Sequence, residues 1–216
     1  MTPEVKSGYH DRIGLWMVVV VIVLTAVVFF WTRSYYQHEK TPLATHVDAQ
    51  GHLHILGITL GETTLKEAEL ILQSKSDVAL YLYPEKHERA GRKLEAFFPA
   101  IADHTKVILL LDMSREGLDK LESKATIPHL YPNSVARMNL AADDRRALDQ
   151  VTVRELTLIP NLTLSAENIK ARFGMPDELK AMESYDLYVY HNTALKVRLN
   201  KDESATLHFF NPITVP

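Results

Sequence analysis

Residues 185–211, YDLYVYHNTALKVRLNKDESATLHFFN, decide how this chain folds. They break into three runs of strand-forming residues, 185–191, 195–200 and 205–211. Asn192-Thr193 and Lys201-Asp202-Glu203-Ser204 separate the runs, and such residues favour turns. Leu187 and Val189, then Leu195, Val197 and Leu199, alternate with polar neighbours, so the spacing predicts an antiparallel meander with one buried face. Just upstream, Phe173-Gly-Met-Pro176 must end a helix, because glycine adopts the left-handed terminating conformation and proline blocks continuation. That helix starts at a capping Ser165 and carries Ala166, Ile169 and Phe173 on one face. An extended segment, residues 152–162 (TVRELTLIPNL), precedes it.

The same order of elements occurs 101 residues earlier. Residues 52–61 (HLHILGITLG) read as an extended segment, and Thr64-Leu-Lys-Glu67 offers a capping box to a helix with Leu65, Ala68 and Leu72 on one face. Strands are predicted at 78–83 (VALYLY), 94–98 (LEAFF) and 107–113 (VILLLDM). Residues 114–125 place Leu118, Leu121 and Ala125 at helical spacing. Residues 126–139, with Pro128 and Pro132, read as an irregular crossing, followed by a short helix over 140–148. The expected fold class is therefore α+β, with two similar helix-plus-antiparallel-meander units. The first repeat spans 51–125, a connector 126–150 and the second repeat 151–216, with the two sheets side by side or merged into one.

The second unit resembles the BamE/SmpA-OmlA type of small bacterial envelope domain, whose pattern runs Gly-Met-Thr, helix, Leu-Gly-x-Pro and three strands. Phe173-Gly174-Met175-Pro176, the capped helix before it and Tyr190 carry the likeness over about 55 residues. Asn161-Leu162-Thr163 stands where the family has Gly-Met-Thr, and the first unit lacks the Gly-x-Pro. The resemblance implies an envelope assembly or scaffolding module and brings no catalytic residues with it.

The N-terminal part speaks to location. Residues 13–31 (IGLWMVVVVIVLTAVVFFW) contain no charge, and nineteen residues of helix measure roughly 28 Å, close to the thickness of a bilayer core. Trp16, Trp31, Tyr35 and Tyr36 stand where aromatic rings favour the headgroup layers, and the run ends without the small residues of a signal cleavage site. The expectation is an uncleaved single-pass anchor at 13–31, a cytoplasmic tail at 1–12 and a spacer at 32–50. The C-terminal part would then be periplasmic, on the inner membrane of a bacterium. The chain has no cysteine, so lipid attachment at a cysteine is excluded.

Chemistry is sparse. The net charge of −3 and the mixed clusters Arg89–Arg92–Lys93 and Arg145–Arg146, each flanked by Glu or Asp, argue against a nucleic-acid partner and read as solvated surface. His46, His52 and His54 are the one grouping that suggests a metal, with Asp48 or His104 as a further ligand, but two imidazoles on a strand do not make a site. Asp143-Asp144, or Glu62 and Glu67, could serve acid–base catalysis if burial raised one carboxyl, but Glu67 is better accounted for as the capping partner of Thr64, and Asp143-Asp144 beside Arg145-Arg146 suits a helix start. No phosphate-loop, dinucleotide, serine-nucleophile or zinc-protease motif is present. Tyr81/Tyr83 and Tyr188/Tyr190 fall on corresponding strands and offer either core cover or an interface stripe. No catalytic, cofactor-binding or metal residue is assigned. The expected function is an envelope interaction or scaffold protein without turnover, whose partners are the membrane and other envelope proteins. The alternative is a membrane-anchored envelope hydrolase using carboxylate or histidine groups.

Overall fold

In the computed structural model the described residues are 17, 20–27, 45–101 and 104–212. The anchor expected at 13–31, the tail and most of the spacer lie largely outside them. Residues 20–27 are helical, and among the described residues no helix is long and apolar enough to cross a membrane.

The alternating runs assemble as alternation requires, into one antiparallel sheet. Its strands are β4 (Asp77–Tyr83), β5 (Gly91–Phe98), β6 (Lys106–Leu111), β7 (His129–Leu130), β8 (Ala136–Asn139), β9 (Val153–Ile159), β10 (Glu178–Ala181), β11 (Tyr185–Tyr190), β12 (Leu195–Asn200) and β13 (Ala205–Phe210). They run in the order β10-β11-β12-β13-β9-β6-β5-β4-β8-β7. The two meanders, β4-β5-β6 and β11-β12-β13, are merged, with β9 hydrogen-bonded to β13 on one side and to β6 on the other. This α+β architecture with a single large antiparallel sheet is what the patterning predicts at the level of class.

The segment 52–61 departs from its expected course. It folds back as a hairpin, β2 (Leu53–Ile55) and β3 (Ile58–Thr59), which joins β1 (His46–Val47) in a separate three-stranded sheet. The turn between them is Leu56-Gly57, both at positive φ (52° and 78°), as a two-residue hairpin of that hand demands. Gly57 carries the signal, since a glycine inside a strand pattern marks a bend. Residues 61–65 then run antiparallel to the start of β9: the Gly61 N–H donates to the Val153 carbonyl at 2.7 Å, and the Leu65 N–H to that of Val151 at 2.8 Å.

Helices α1 (Leu65–Ile71), α2 (Arg115–Lys124), α3 (Ala142–Ala147) and α4 (Ala166–Phe173) accompany the sheet. The capping box of α1 forms as expected, with the Glu67 N–H donating to Thr64 and the Glu67 carboxylate accepting the Thr64 N–H. Ser165 caps α4, and Gly174 at φ 85° ends it. Leu65, Ala68, Leu121 and Ile169 share one core with the small sheet and with the face of the large sheet bearing Leu94, Leu109, Leu156, Val197 and Phe209. Burying each such side chain contributes about 1.5–3 kcal/mol, so this layer holds most of the folding energy. The hairpin β7–β8 and the strand β10 occupy stretches without a strand prediction. Each is short and polar, and β8 joins the sheet through Ala136 and Met138 packed beside Leu82 and Leu80.

Candidate functional site

The sheet face away from the helices is built differently. Register places Ala79, Tyr81 and Tyr83 of β4, Lys93, Glu95 and Phe97 of β5, Glu155 and Thr157 of β9, and His208 and Phe210 of β13 on this side. Glu95 is 3% exposed and Thr157 8% exposed, so two polar side chains are buried here. Glu95 and Glu155 both stand opposite Leu110, which sets their backbones two strand spacings apart, about 10 Å.

The connection between β4 and β5, residues 84–90, folds back over this face as a strap. Arg89 Nη2 contacts Glu95 Oε1 at 2.7 Å, its guanidinium lies 5.3 Å from the Tyr83 ring, and the Tyr83 hydroxyl donates to the same carboxylate oxygen at 3.0 Å. One residue earlier, Glu88 accepts a hydrogen bond from the Tyr185 hydroxyl and lies 3.6 Å from Arg198 Nη1. Strand β12 lies four spacings from β5, about 19 Å in a flat sheet, and Arg198 sits toward the opposite end of the register. The contact forms because the sheet coils along that diagonal, as twisted sheets do.

Electrostatics separate the two carboxyls. Burial pushes Glu95 above the ordinary carboxyl value, against the opposing pull of Arg89 and the Tyr83 hydroxyl. Burial also acts on Glu155, but there the hydrogen bond from His208 at 2.9 Å, the His208 charge and Arg89 outweigh it and hold the carboxyl below its usual value. Burial raises the Tyr83 phenol, and the neighbouring Glu95 charge adds to the effect. Arg89 thus acts on one carboxyl that is shifted up and on one that is shifted down. Two such environments on one surface are what acid–base pairs require.

The residues singled out by sequence are distributed otherwise. His54 lies between Asp48 Oδ2 and Thr59 Oγ1, each at 3.0 Å, and stacks on His46 with ring centroids 4.3 Å apart. His52 precedes the strand rather than extending it, and its Nδ1 lies 3.2 Å from Glu62. The hydrogen bond to His54 leads the effects that lower Asp48 to about 2, helped by the backbone N–H groups of His52 and Gln50. Among the described residues no group of three or more His, Asp or Glu side chains is placed to hold a metal ion. Asp144 pairs with Lys124 at 3.1 Å and Asp143 with Arg146 at 2.8 Å.

The two basic clusters require correction as solvated surface. Arg89 holds the strap, and Arg145 reaches buried Glu69 at 2.7 Å, tying α3 to α1. Glu95, the partner of Arg89, is one of the acidic residues that flank its cluster, whereas Glu69, the partner of Arg145, lies seventy-six residues away in sequence, beyond any local reading of charge dilution. The tyrosine pairs also part company. Tyr81 and Tyr83 lie on the strap side, whereas Tyr188 and Tyr190 are buried in the helix-side core, where the Tyr190 hydroxyl donates to the Gly174 carbonyl at 3.2 Å.

Apolar side chains stand in solvent at both rims of the sheet. On the β10 rim these are Met175, Leu179 and Met182, at 77%, 54% and 49% exposure, and on the β7 rim Ile127, Leu130 and Tyr131. Strand β10 pairs only with β11 among the described residues, so its outer backbone edge is open. Comparison of the chain with protein-family models, with curated proteins and with solved structures finds no match.

Proposed function

We propose that this chain is a single-pass inner-membrane protein of the bacterial envelope, anchored by residues 13–31, whose periplasmic part arose by duplication of an α+β unit and serves as an interaction or scaffold module without turnover. The observation that carries the reading is the β10 rim, an outermost strand with an open edge and three large apolar side chains within residues 175–182. Added strands gain affinity from main-chain hydrogen bonds and selectivity from alternate side chains, and methionine is favoured where a surface must adapt to a partner. The Lys180–Glu178 ion pair at 2.7 Å places charge on the same strand, which discourages pairing with a second copy. The apolar run at 13–31 and the likeness of the second unit to envelope assembly domains support the location.

Affinity capture of the full chain from membranes in mild detergent tests this. Wild type retains a defined partner, and Leu179→Glu combined with Met182→Glu reduces its recovery at least tenfold while leaving the thermal midpoint in place. Capture of no partner, or equal capture by the variant, defeats the reading.

The hydrolase reading draws support from the opposed shifts of Glu95 and Glu155 on one face. It requires the strap to open, since Arg89 and Tyr83 cover Glu95. Product release from envelope fragments by the purified chain, abolished in both Glu95→Gln and Glu155→Gln, would favour it over the interaction reading.

A further inference from the structure

The small sheet has a polar outer face. Register sets His46 opposite His54 and His54 opposite Thr59, so these side chains line up across β1, β2 and β3, while Leu53, Ile55 and Ile58 are buried in the core. His54 is fixed on several sides. Its ring stacks on His46 with the two planes 6° apart. Asp48 Oδ1 accepts the backbone N–H groups of Gln50 and His52 at 2.9 and 2.8 Å, which leaves Oδ2 for His54 Nε2 at 3.0 Å. Held near 2 chiefly by that bond, Asp48 is ionised at neutral pH and can only accept. In the neutral ring Nε2 therefore carries the proton and Nδ1 presents a lone pair, so the Thr59 hydroxyl, 3.0 Å away, donates to it. Carboxylate, imidazole and hydroxyl joined in that order make an activated nucleophile.

Thr59 lies on a groove. With Glu62, Thr63, Glu67, Leu70 and Ile71 it lines about 490 Å³ beside α1, a volume in the range of small-molecule sites. Leu70 and Ile71 are 70% and 40% exposed, so an apolar chain can lie against them. The lining has two carboxylates and no cation, which disfavours an anionic donor. The Thr63 hydroxyl accepts the Thr59 N–H at 2.8 Å and keeps its own proton for a carbonyl oxygen. The backbone N–H groups of residues 60–63 all donate to carbonyls, so no pair of amides is set to stabilise an oxyanion. Such equipment suits one transfer to Thr59 rather than rapid cycling.

We propose that Thr59 is an acylation site, which takes an apolar acyl group from a neutral ester lying along Leu70 and Ile71. Thr59 Oγ1 attacks the ester carbonyl carbon while its proton passes to His54 Nδ1. Collapse of the tetrahedral adduct breaks the bond to the alcohol oxygen, which leaves with that proton, and Thr59 keeps the acyl group as an ester. His54 acts as the base, and Asp48 and His46 position it. The site is separate from the β10 rim and does not depend on partner capture, and a single transfer is compatible with a module that does not turn over.

The test mixes the full chain in mild detergent with para-nitrophenyl octanoate. Nitrophenolate is expected as a burst of one equivalent per chain, and peptide mass spectrometry to place a single octanoyl group on Thr59. Para-nitrophenyl acetate, which lacks the apolar chain, reacts more slowly. Thr59→Ser keeps the burst, Thr59→Val abolishes it, and His54→Gln slows it about a hundredfold, as loss of a general base does. Asp48→Asn separates chemistry from structure. Its amide oxygen keeps the two backbone N–H groups and hence the thermal midpoint, but its NH2 then faces His54 Nε2 and drives the ring proton to Nδ1. Nitrogen-15 shifts of His54 read that switch, and the burst slows about tenfold or more. His129→Gln, on β7, leaves the burst unchanged. No octanoyl group on Thr59, a burst that survives in Thr59→Val, acetate reacting as fast as octanoate, or an unmoved tautomer and rate in Asp48→Asn overturns the proposal. Release that continues past one equivalent with Thr59 labelled keeps the acylation site and defeats the reading without turnover.

Discussion

The two faces of the large sheet are stabilised by opposite means. Toward the helices, strands β4, β5, β6, β9, β11, β12 and β13 contribute aliphatic or aromatic side chains to one continuous core. Toward the strap, a buried carboxylate is held by an arginine from a loop and a tyrosine from the next strand. The first face needs only apolar residues at the right period. The second needs partners of particular chemistry at particular places. The contrast teaches that alternation states which side of a strand is apolar, but not that the polar side is wet. The largest expected effect lies on the helix side. Phe209, fully buried beside β9, should cost about 3–5 kcal/mol on change to Ala, read as a lower denaturant midpoint with an unchanged slope. A loss below 1 kcal/mol would mean that the helix-side layer is not the stabilising one.

The next effect sharpens the strap side. Arg89→Met removes the cation from Glu95 while keeping much of the stem. A buried carboxyl without its partner destabilises strongly, but Arg89 is itself 29% exposed and the carboxyl can take up a proton, so the expected loss is about 2 kcal/mol. Adding Glu95→Leu to Arg89→Met should return most of it, because no uncompensated charge remains. Amide exchange over residues 84–90 should stay fast in the double variant, since the strap has lost its inner anchor. If the double variant is as far below wild type as Arg89→Met alone, the ion pair contributes net stability that an apolar pair does not replace.

Legibility in the sequence follows the same division. The α+β class, the caps at Thr64 and Ser165, the stop at Gly174 and the meander at 185–211 rest on contacts within a few residues, and all are found. The strand 195–200 was readable to its ends, because Leu195, Val197 and Leu199 meet no competing signal. The hairpin at Leu56-Gly57 was visible only in one glycine, and the resemblance of 52–61 to 152–162 argued the other way. Strands β7, β8 and β10 have two to four residues, too few for a period to stand out. The strap and the Glu95–Glu155 surface were not legible at all. Glu95 lies in LEAFF as an ordinary outward-facing residue, and its burial depends on a sheet coil that brings residues 88 and 198 together.

The smallest effect is a difference in sign between the two carboxyls of the strap side. Glu95 holds its proton more tightly in the folded chain than in the unfolded one. As pH rises from the ordinary carboxyl value of 4.5 through its raised folded value, the folded state loses that advantage, so Glu95 makes stability fall with rising pH in this window. Glu155 is the reverse. Its stabilisation is present above 4.5 and is lost as pH falls through its lowered folded value. Glu95→Gln should therefore flatten the decline on the rising side and leave the acid side alone. Glu155→Gln should flatten part of the acid side, where Asp48, held near 2, continues to contribute in both variants. Denaturant midpoints from pH 3 to pH 8 separate the two slopes. Variants that move the same side of the profile would show that Arg89 holds the two carboxyls as one titrating unit, and the strap side would then be a single coupled charge site rather than an acid and a base held apart.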